Sequence, residues 1–231
     1  MATDPKPISR GRAIAYAIFG PLGLIAFVFL PTGRIDWRPG WIYVAFLIGV
    51  FGLSLLIIGL INPRIFRARS GFQKGTKRWD LAILILMLPA IMAEIPVAAY
   101  DAGRMHGSSP PEWVTPTGYA LLLFGVVMTA WAQAVNPFFE PGVRIQSERE
   151  QRPITTGPYR FVRHPGYLGA LALFAGLSLA LGSWWGLVPG GIASVLLVIR
   201  TAFEDGLLRR ELPGYADYAR RTRYRLAPGI W

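Results

Sequence analysis

The chain has no cysteine. Disulfide staples, a thiolate nucleophile and any cysteine-ligated metal centre are therefore excluded. Histidine is nearly as scarce. Only His106 and His164 occur, in different loops, so no metal site is expected. Charge is also thin, at 16% of 231 residues, against about 25% in a soluble domain. The missing sign is acid: 13 Asp and Glu stand against 24 Lys and Arg, for a net charge of +11. Basicity can signal a nucleic-acid partner. Among long apolar runs it marks loops beside anionic lipid headgroups instead, and no nucleic-acid partner is expected. Internal repeats and low-complexity segments are lacking too, which argues against a transporter built from inverted repeats.

What is present is hydrocarbon. Hydrophobic residues make up 53% of the chain. Apolar runs at 13–31, 41–61, 80–100 and 117–135 are each near the roughly 20 residues that cross a bilayer as a helix. Two shorter runs, 165–182 and 185–203, are joined by Gly182, Ser183 and Trp184 and read as a tight helical hairpin. The first run is long for a signal peptide and no small-residue cleavage pattern follows it, so it reads as a retained helix. The expectation is an all-α polytopic membrane bundle of about six transmembrane helices, with a C-terminal helical hairpin and a cytosolic tail at 204–231. All but three of the 24 basic residues, Arg34, Arg38 and Arg104, then fall on one side. That asymmetry puts both termini in the cytoplasm.

Polar chemistry concentrates at Thr155–Gly169. Gly157-Pro158 is a turn signal. Pro165 suits the first position of a helix, where its missing N–H costs nothing. His164 then falls near the cap, and the helix N-terminus with Arg163 and His164 would welcome an anionic group. Ordinary cytosolic anchoring by Arg and His is the simpler account of the same residues. The hairpin returns Arg200, Glu204 and Asp205 to the level of His164. Acids beside an apolar span need partners. Glu204 could pair locally with Arg200 at i,i+4, or face a polar pocket shared with Arg163, His164 and Tyr167. Such a pocket suits a zwitterionic ligand.

The run Thr156-Gly-Pro-Tyr-Arg-Phe-Val-Arg-His-Pro-Gly-Tyr-Leu-Gly169, then Arg200 with Glu204-Asp205, then Gly214-Tyr215-x-x-Tyr218 and Arg223-Tyr-Arg-Leu-x-Pro-Gly229, resembles the isoprenylcysteine carboxyl methyltransferase family. Its wider clan includes membrane phospholipid methyltransferases. The resemblance runs from Asn136 to the C-terminus. It implies a core at 136–231 that binds S-adenosyl-L-methionine, with 1–135 as a four-helix membrane region on the substrate side. Cofactor contacts would fall on Gln151, Ile154, Thr155, Gly157, Tyr159, His164, Tyr167 and Glu204, with Asn136 nearby. Arg163 would orient the methyl acceptor, and Arg163, His164 and Glu204 form the implied catalytic set. The family often has Glu-Glu where this chain has Glu204-Asp205.

The implied reaction is in-line transfer of a methyl group to a lipidic acceptor, best a carboxylate, at the membrane–cytosol interface. A carboxylate is already ionised at neutral pH and needs no base. An amine or phenol would call on His164 or Glu204. The bilayer and a lipophilic acceptor are the expected partners. Among other polar residues, Glu94 lies inside the third run between Pro89 and Pro96, as a substrate contact or a side chain reaching the interface. Asp80 reads as a helix cap. Arg220, Arg221, Arg223 and Arg225 read as a headgroup-facing surface. Two other readings compete: an NADPH-dependent sterol-type membrane reductase, which shares Arg-His-Pro-x-Tyr, and a non-enzymatic membrane protein.

Overall fold

A computed structural model of the chain describes residues 10–62, 66 and 71–231. Lys6, Arg64, Arg67 and Arg69, which contribute to the charge asymmetry, lie outside the described residues. The described chain is helical, without strands. Helices α1 (Arg10–Thr32), α2 (Arg38–Ile61), α3 (Arg78–Tyr100), α4 (Val114–Val135), α5 (Pro165–Leu179), α6 (Leu187–Glu211) and α7 (Tyr215–Arg221) follow in order. A π-helical turn, Asp101–Met105, prolongs α3, and short 3₁₀ turns lie at Ser147–Arg149 and Gly157–Arg160.

Five helices, α1 to α4 and α6, are long and apolar enough to cross a membrane. Large apolar side chains such as Leu30, Leu60 and Ile85 are left on their outer faces. Together these make the chain an integral membrane protein. The sixth expected crossing differs. α5 has 15 residues, a length of roughly 22 Å, against a hydrocarbon core of about 30 Å. The charged tail expected from residue 204 also starts later. α6 runs on as helix through Arg200, Glu204 and Asp205 to Glu211. The helix accommodates its first charges, Arg200 and Asp205 through ion pairs and Glu204 through a hydroxyl, as described below.

Helix starts follow the backbone rules. Proline stands in the first turn of α2 and of α5, where no N–H partner exists to be lost. The closest packing is between α4 and α5. A Cβ added at Gly125 would lie 2.7 Å from the Gly169 carbonyl oxygen, and one at Gly169 would lie 2.8 Å from that of Gly125. Two turns further along, a Cβ at Gly176 would lie 2.9 Å from the Gly118 carbonyl oxygen, and one at Gly118 would run into the backbone of Leu179 and Ala180. Small residues let membrane helices approach backbone to backbone, where packing rather than the hydrophobic effect holds them together. At Gly169 the close approach is thus made by the backbone of α4.

Buried polar groups tie the bundle at three depths. On the expected outer side, Ser108 and Ser183 hydroxyls each donate to Asp101 Oδ2 at 2.5 Å, linking the loop after α3 to the α5–α6 connection. In the middle, Ser178 Oγ donates to Glu94 Oε1 at 3.0 Å. Glu94 is fully buried, so it does not reach the interface. It packs against Gly190 of α6, where a Cβ would sit 2.9 Å from its carboxylate. At the expected cytosolic end, Arg200 Nε and Nη2 donate to Asp80 at 2.6 and 3.2 Å. Asp80 therefore does not cap α3, and Arg200 does not pair with Glu204. A buried guanidinium needs a full counter-charge, and Asp80 offers both oxygens in a bidentate fork.

Candidate functional site

At the expected cytosolic end a cleft opens between the 136–164 loop, the start of α5, the end of α6 and α7. The 3₁₀ turn Gly157–Arg160 begins on Gly157, whose φ of +58° is left-handed and suits glycine. The chain then reaches α5 with His164 at the cap position. The C-terminal segment lies along this approach: Arg163 N–H donates to the Tyr224 carbonyl and His164 N–H to the Arg225 carbonyl, both at 2.9 Å. The tail is thereby laid against the opening motif.

Glu204 and Asp205 are adjacent on α6 and point to different places, since successive helical residues turn by about 100°. Asp205 is fully buried and faces the tail. Arg163 donates to it through Nε at 2.6 Å and Nη2 at 3.1 Å. Arg209, Arg225 and the Tyr215 hydroxyl donate to it at 3.0 Å each. Arg163 Nη1 also donates to the carbonyls of Thr222 and Arg223, at 2.8 and 2.6 Å. One carboxylate thus gathers α5, α6, α7 and the last residues.

Glu204 faces the cleft. It accepts the Tyr167 hydroxyl at 2.5 Å. The Tyr167 ring stacks on His164, with centroids 5.6 Å apart and planes within 6°. Arg200 lies over the Tyr167 ring at 5.3 Å. The His164 Nε2 atom is 3.5 Å from both Asp205 Oδ1 and the Tyr215 oxygen. Across the cleft, Asn136 Nδ2 donates to the Tyr159 oxygen at 2.8 Å, and Tyr218 donates to the Tyr159 carbonyl at 2.8 Å. Burial pushes the Tyr159, Tyr215 and Tyr218 hydroxyls above the ordinary tyrosine pKa. They stay neutral donors at physiological pH.

The front wall is the 136–153 loop. Gln146 N–H donates to Gln151 Oε1 at 2.8 Å, and Gln146 Nε2 donates to the Phe138 carbonyl at 2.8 Å. Arg144 forks onto Glu140 at 2.7 and 3.0 Å and reaches Glu148 at 2.6 Å. The hydrogen bond to Glu140 holds the Arg144 pKa above its ordinary value. The loop is pinned to α3 and α6, because Val143 N–H donates to Asp80 at 2.7 Å and Arg200 donates to the Pro141 carbonyl at 2.7 Å.

The cleft brings together most residues the sequence singles out. Asn136, Gln151, Ile154, Tyr159, Arg163, His164, Tyr167 and Glu204 all line it. Thr155 and Gly157 do not. Thr155 is exposed, and Gly157 packs against Trp131 and Val135. Glu94 is also not among the lining residues. Ser178, its partner, is 11 residues along α5 from Tyr167, roughly 16 Å at 1.5 Å per residue. Sequence reading assigned no role to several lining residues, among them Phe139, whose ring covers Gly166, and Arg152, Tyr215 and Tyr218. The i,i+3 tyrosines of the tail were the available signal, since an amphipathic turn with two aromatics on one face must cover something.

Residues 113–212 match the family described as phospholipid methyltransferase. The matched stretch spans α4, the front loop, α5 and α6, and so carries all the lining residues but those of α7. The likeness of Thr156–Gly169 to membrane methyltransferases is borne out at that level, because the matched residues include this run. Two further proteins are similar over 120 residues, 51% of this chain. They are the nickel-cobalt-cadmium resistance protein NccN of Alcaligenes xylosoxydans xylosoxydans, at 29% identity over 53% of its length, and the cobalt-zinc-cadmium resistance protein CzcN of Cupriavidus metallidurans, at 30% over 52%. The chain thus matches about half the length of each of these relatives.

Proposed function

We propose that the protein transfers a methyl group from S-adenosyl-L-methionine to a lipidic acceptor, a carboxylate by preference, at the membrane–cytosol interface. The observation that carries this reading is the Tyr167–Glu204 pair at the base of the cleft, inside the segment matched by the methyltransferase family. The cleft's chemistry fits the cofactor. Glu204 offers a carboxylate to a cationic group, the rings of Tyr159 and Tyr167 offer flat apolar faces, and Ile154, Leu208 and Leu212 offer hydrocarbon. The bound cofactor would supply an electrophilic methyl group.

The chain's own part is to hold and orient. Tyr167 donates to Glu204 Oε2 and fixes the carboxylate's rotamer. His164, stacked on Tyr167, fixes that ring. Holding donor and acceptor in line at about 3–3.5 Å is the main lever available to such a site. Arg163 acts as a positioning residue, because four hydrogen bonds commit it to Asp205 and two tail carbonyls. For an acceptor that must lose a proton, Glu204 is better placed than His164, whose Nε2 is turned to Asp205 and Tyr215.

The same reading sets the topology. α5 and α6 form a hairpin that completes six crossings, both termini are cytoplasmic, and residues 1–135 form the acceptor side. Calorimetry on detergent-purified protein tests the chemistry. S-adenosylhomocysteine should bind the wild type, and binding should be lost in His164→Ala and Glu204→Ala. Binding of NADPH with no response to S-adenosylhomocysteine would replace this reading with a reductase.

A further inference from the structure

We propose that Arg152 is the counter-ion for the carboxylate of the cofactor's amino-acid moiety, working opposite Glu204, which takes the ammonium. The inference rests on the methyl-transfer reading and names two contacts within that same site. Three arginines line the cleft: Arg144, Arg152 and Arg163. Arg144 is engaged by Glu140 and Glu148. Arg163 is engaged by Asp205 and by two backbone carbonyls. Arg152 is exposed and has no ion pair or hydrogen bond among the described residues. On the acidic side Glu140 is paired, while Glu204 has no ion pair: it accepts a hydrogen bond from the neutral Tyr167 hydroxyl and feels Arg200 only at a distance.

Among the described residues the lining side chains therefore leave one cation and one anion without a direct ion pair. They come from different walls, Arg152 from the front loop and Glu204 from α6. A ligand that meets both needs one group of each sign. An α-amino acid carries that pair on a single carbon. A purely anionic headgroup would satisfy Arg152 and be repelled by Glu204. A ligand group that reached for Arg144 or Arg163 would have to break an existing ion pair first, so the unpaired guanidinium gains more from an incoming carboxylate.

The test is calorimetry of the full chain in detergent with S-adenosylhomocysteine and with its decarboxylated analogue, which keeps the nucleoside and the ammonium. Arg152→Gln should weaken S-adenosylhomocysteine by about tenfold, the lower end expected for a charge-assisted hydrogen bond at an exposed site. It should leave the decarboxylated analogue unchanged, and Arg152→Lys should retain most of the affinity. Equal weakening of both ligands overturns the assignment, because the loss would then be structural. So does an unchanged affinity for S-adenosylhomocysteine, including the case where only the KM of an anionic lipid acceptor moves. If the wild type binds neither ligand, the methyl-transfer reading itself falls, which separates its failure from that of Arg152.

Discussion

At the residue scale the two adjacent acids of α6 divide structure from chemistry. Asp205 is fully buried and receives three arginines and a tyrosine hydroxyl. Removing its charge strands several donors at once, and breaking a buried ion pair from one side typically costs about 3–5 kcal/mol. Glu204 receives one neutral hydroxyl, which an amide oxygen can still accept. We therefore expect Asp205→Asn to lower the thermal midpoint sharply. Glu204→Gln should leave the stability within about 1 kcal/mol of wild type, the net worth of one such bond, while weakening S-adenosylhomocysteine binding. Thermal unfolding and calorimetry on the two variants check this, and a stable Asp205→Asn would refute the division. The sequence made it clear that two acids beside an apolar span need partners. It did not show which acid faced which wall, because that depends on the helix continuing past Arg200 and on where the tail folds back.

At the scale of elements, one buried ion pair joins the first half of the chain to the second. Asp80 on α3 holds Arg200 on α6. Both reach the front loop through Val143 and Pro141, and Arg200 also covers the Tyr167 ring. Sequence reading treated Asp80 as a cap and offered Arg200 as one alternative partner of Glu204, the cheapest pairings for residues read one element at a time. The actual partners are 120 positions apart, and no local spacing encodes that. The helices themselves were legible because hydrocarbon runs of bilayer length admit few other structures. The shortness of α5 was visible too, while its glycine contact with α4 was not, since small residues serve ligands and helix packing equally well. Asp80→Asn should destabilise by about 3–5 kcal/mol, because it leaves a buried guanidinium uncompensated. Adding Arg200→Gln should recover much of that loss, giving a coupling energy in a double-mutant cycle. Denaturation of the four proteins in one detergent measures it, and strictly additive losses would mean that the two residues act independently.

At the scale of the whole molecule, the cleft and the outer Asp101 staple lie at opposite ends of α4. The loop after α3 carries Ser108 of the staple, and the end of α4 leads through Asn136 into the cleft. Under the proposed methyl-transfer function, a soluble cofactor would require the cleft end to face the cytosol. The distribution of basic residues favours the same orientation by a separate route, the attraction of Lys and Arg to the inner side. The absence of cysteine makes the orientation directly measurable, because a single introduced thiol reports one position. Ser109 is exposed in the loop before α4, and Ala216 is exposed on α7. Neither makes a contact that the site depends on. A membrane-impermeant maleimide applied to intact cells should label Ser109→Cys, and should label Ala216→Cys only after permeabilisation. The reverse pattern would place the cleft outside and remove its supply of cofactor. Labelling of both positions in intact cells would mean that an even number of crossings separates Ser109 from Ala216, and hence that α4, α5 and α6 do not all cross.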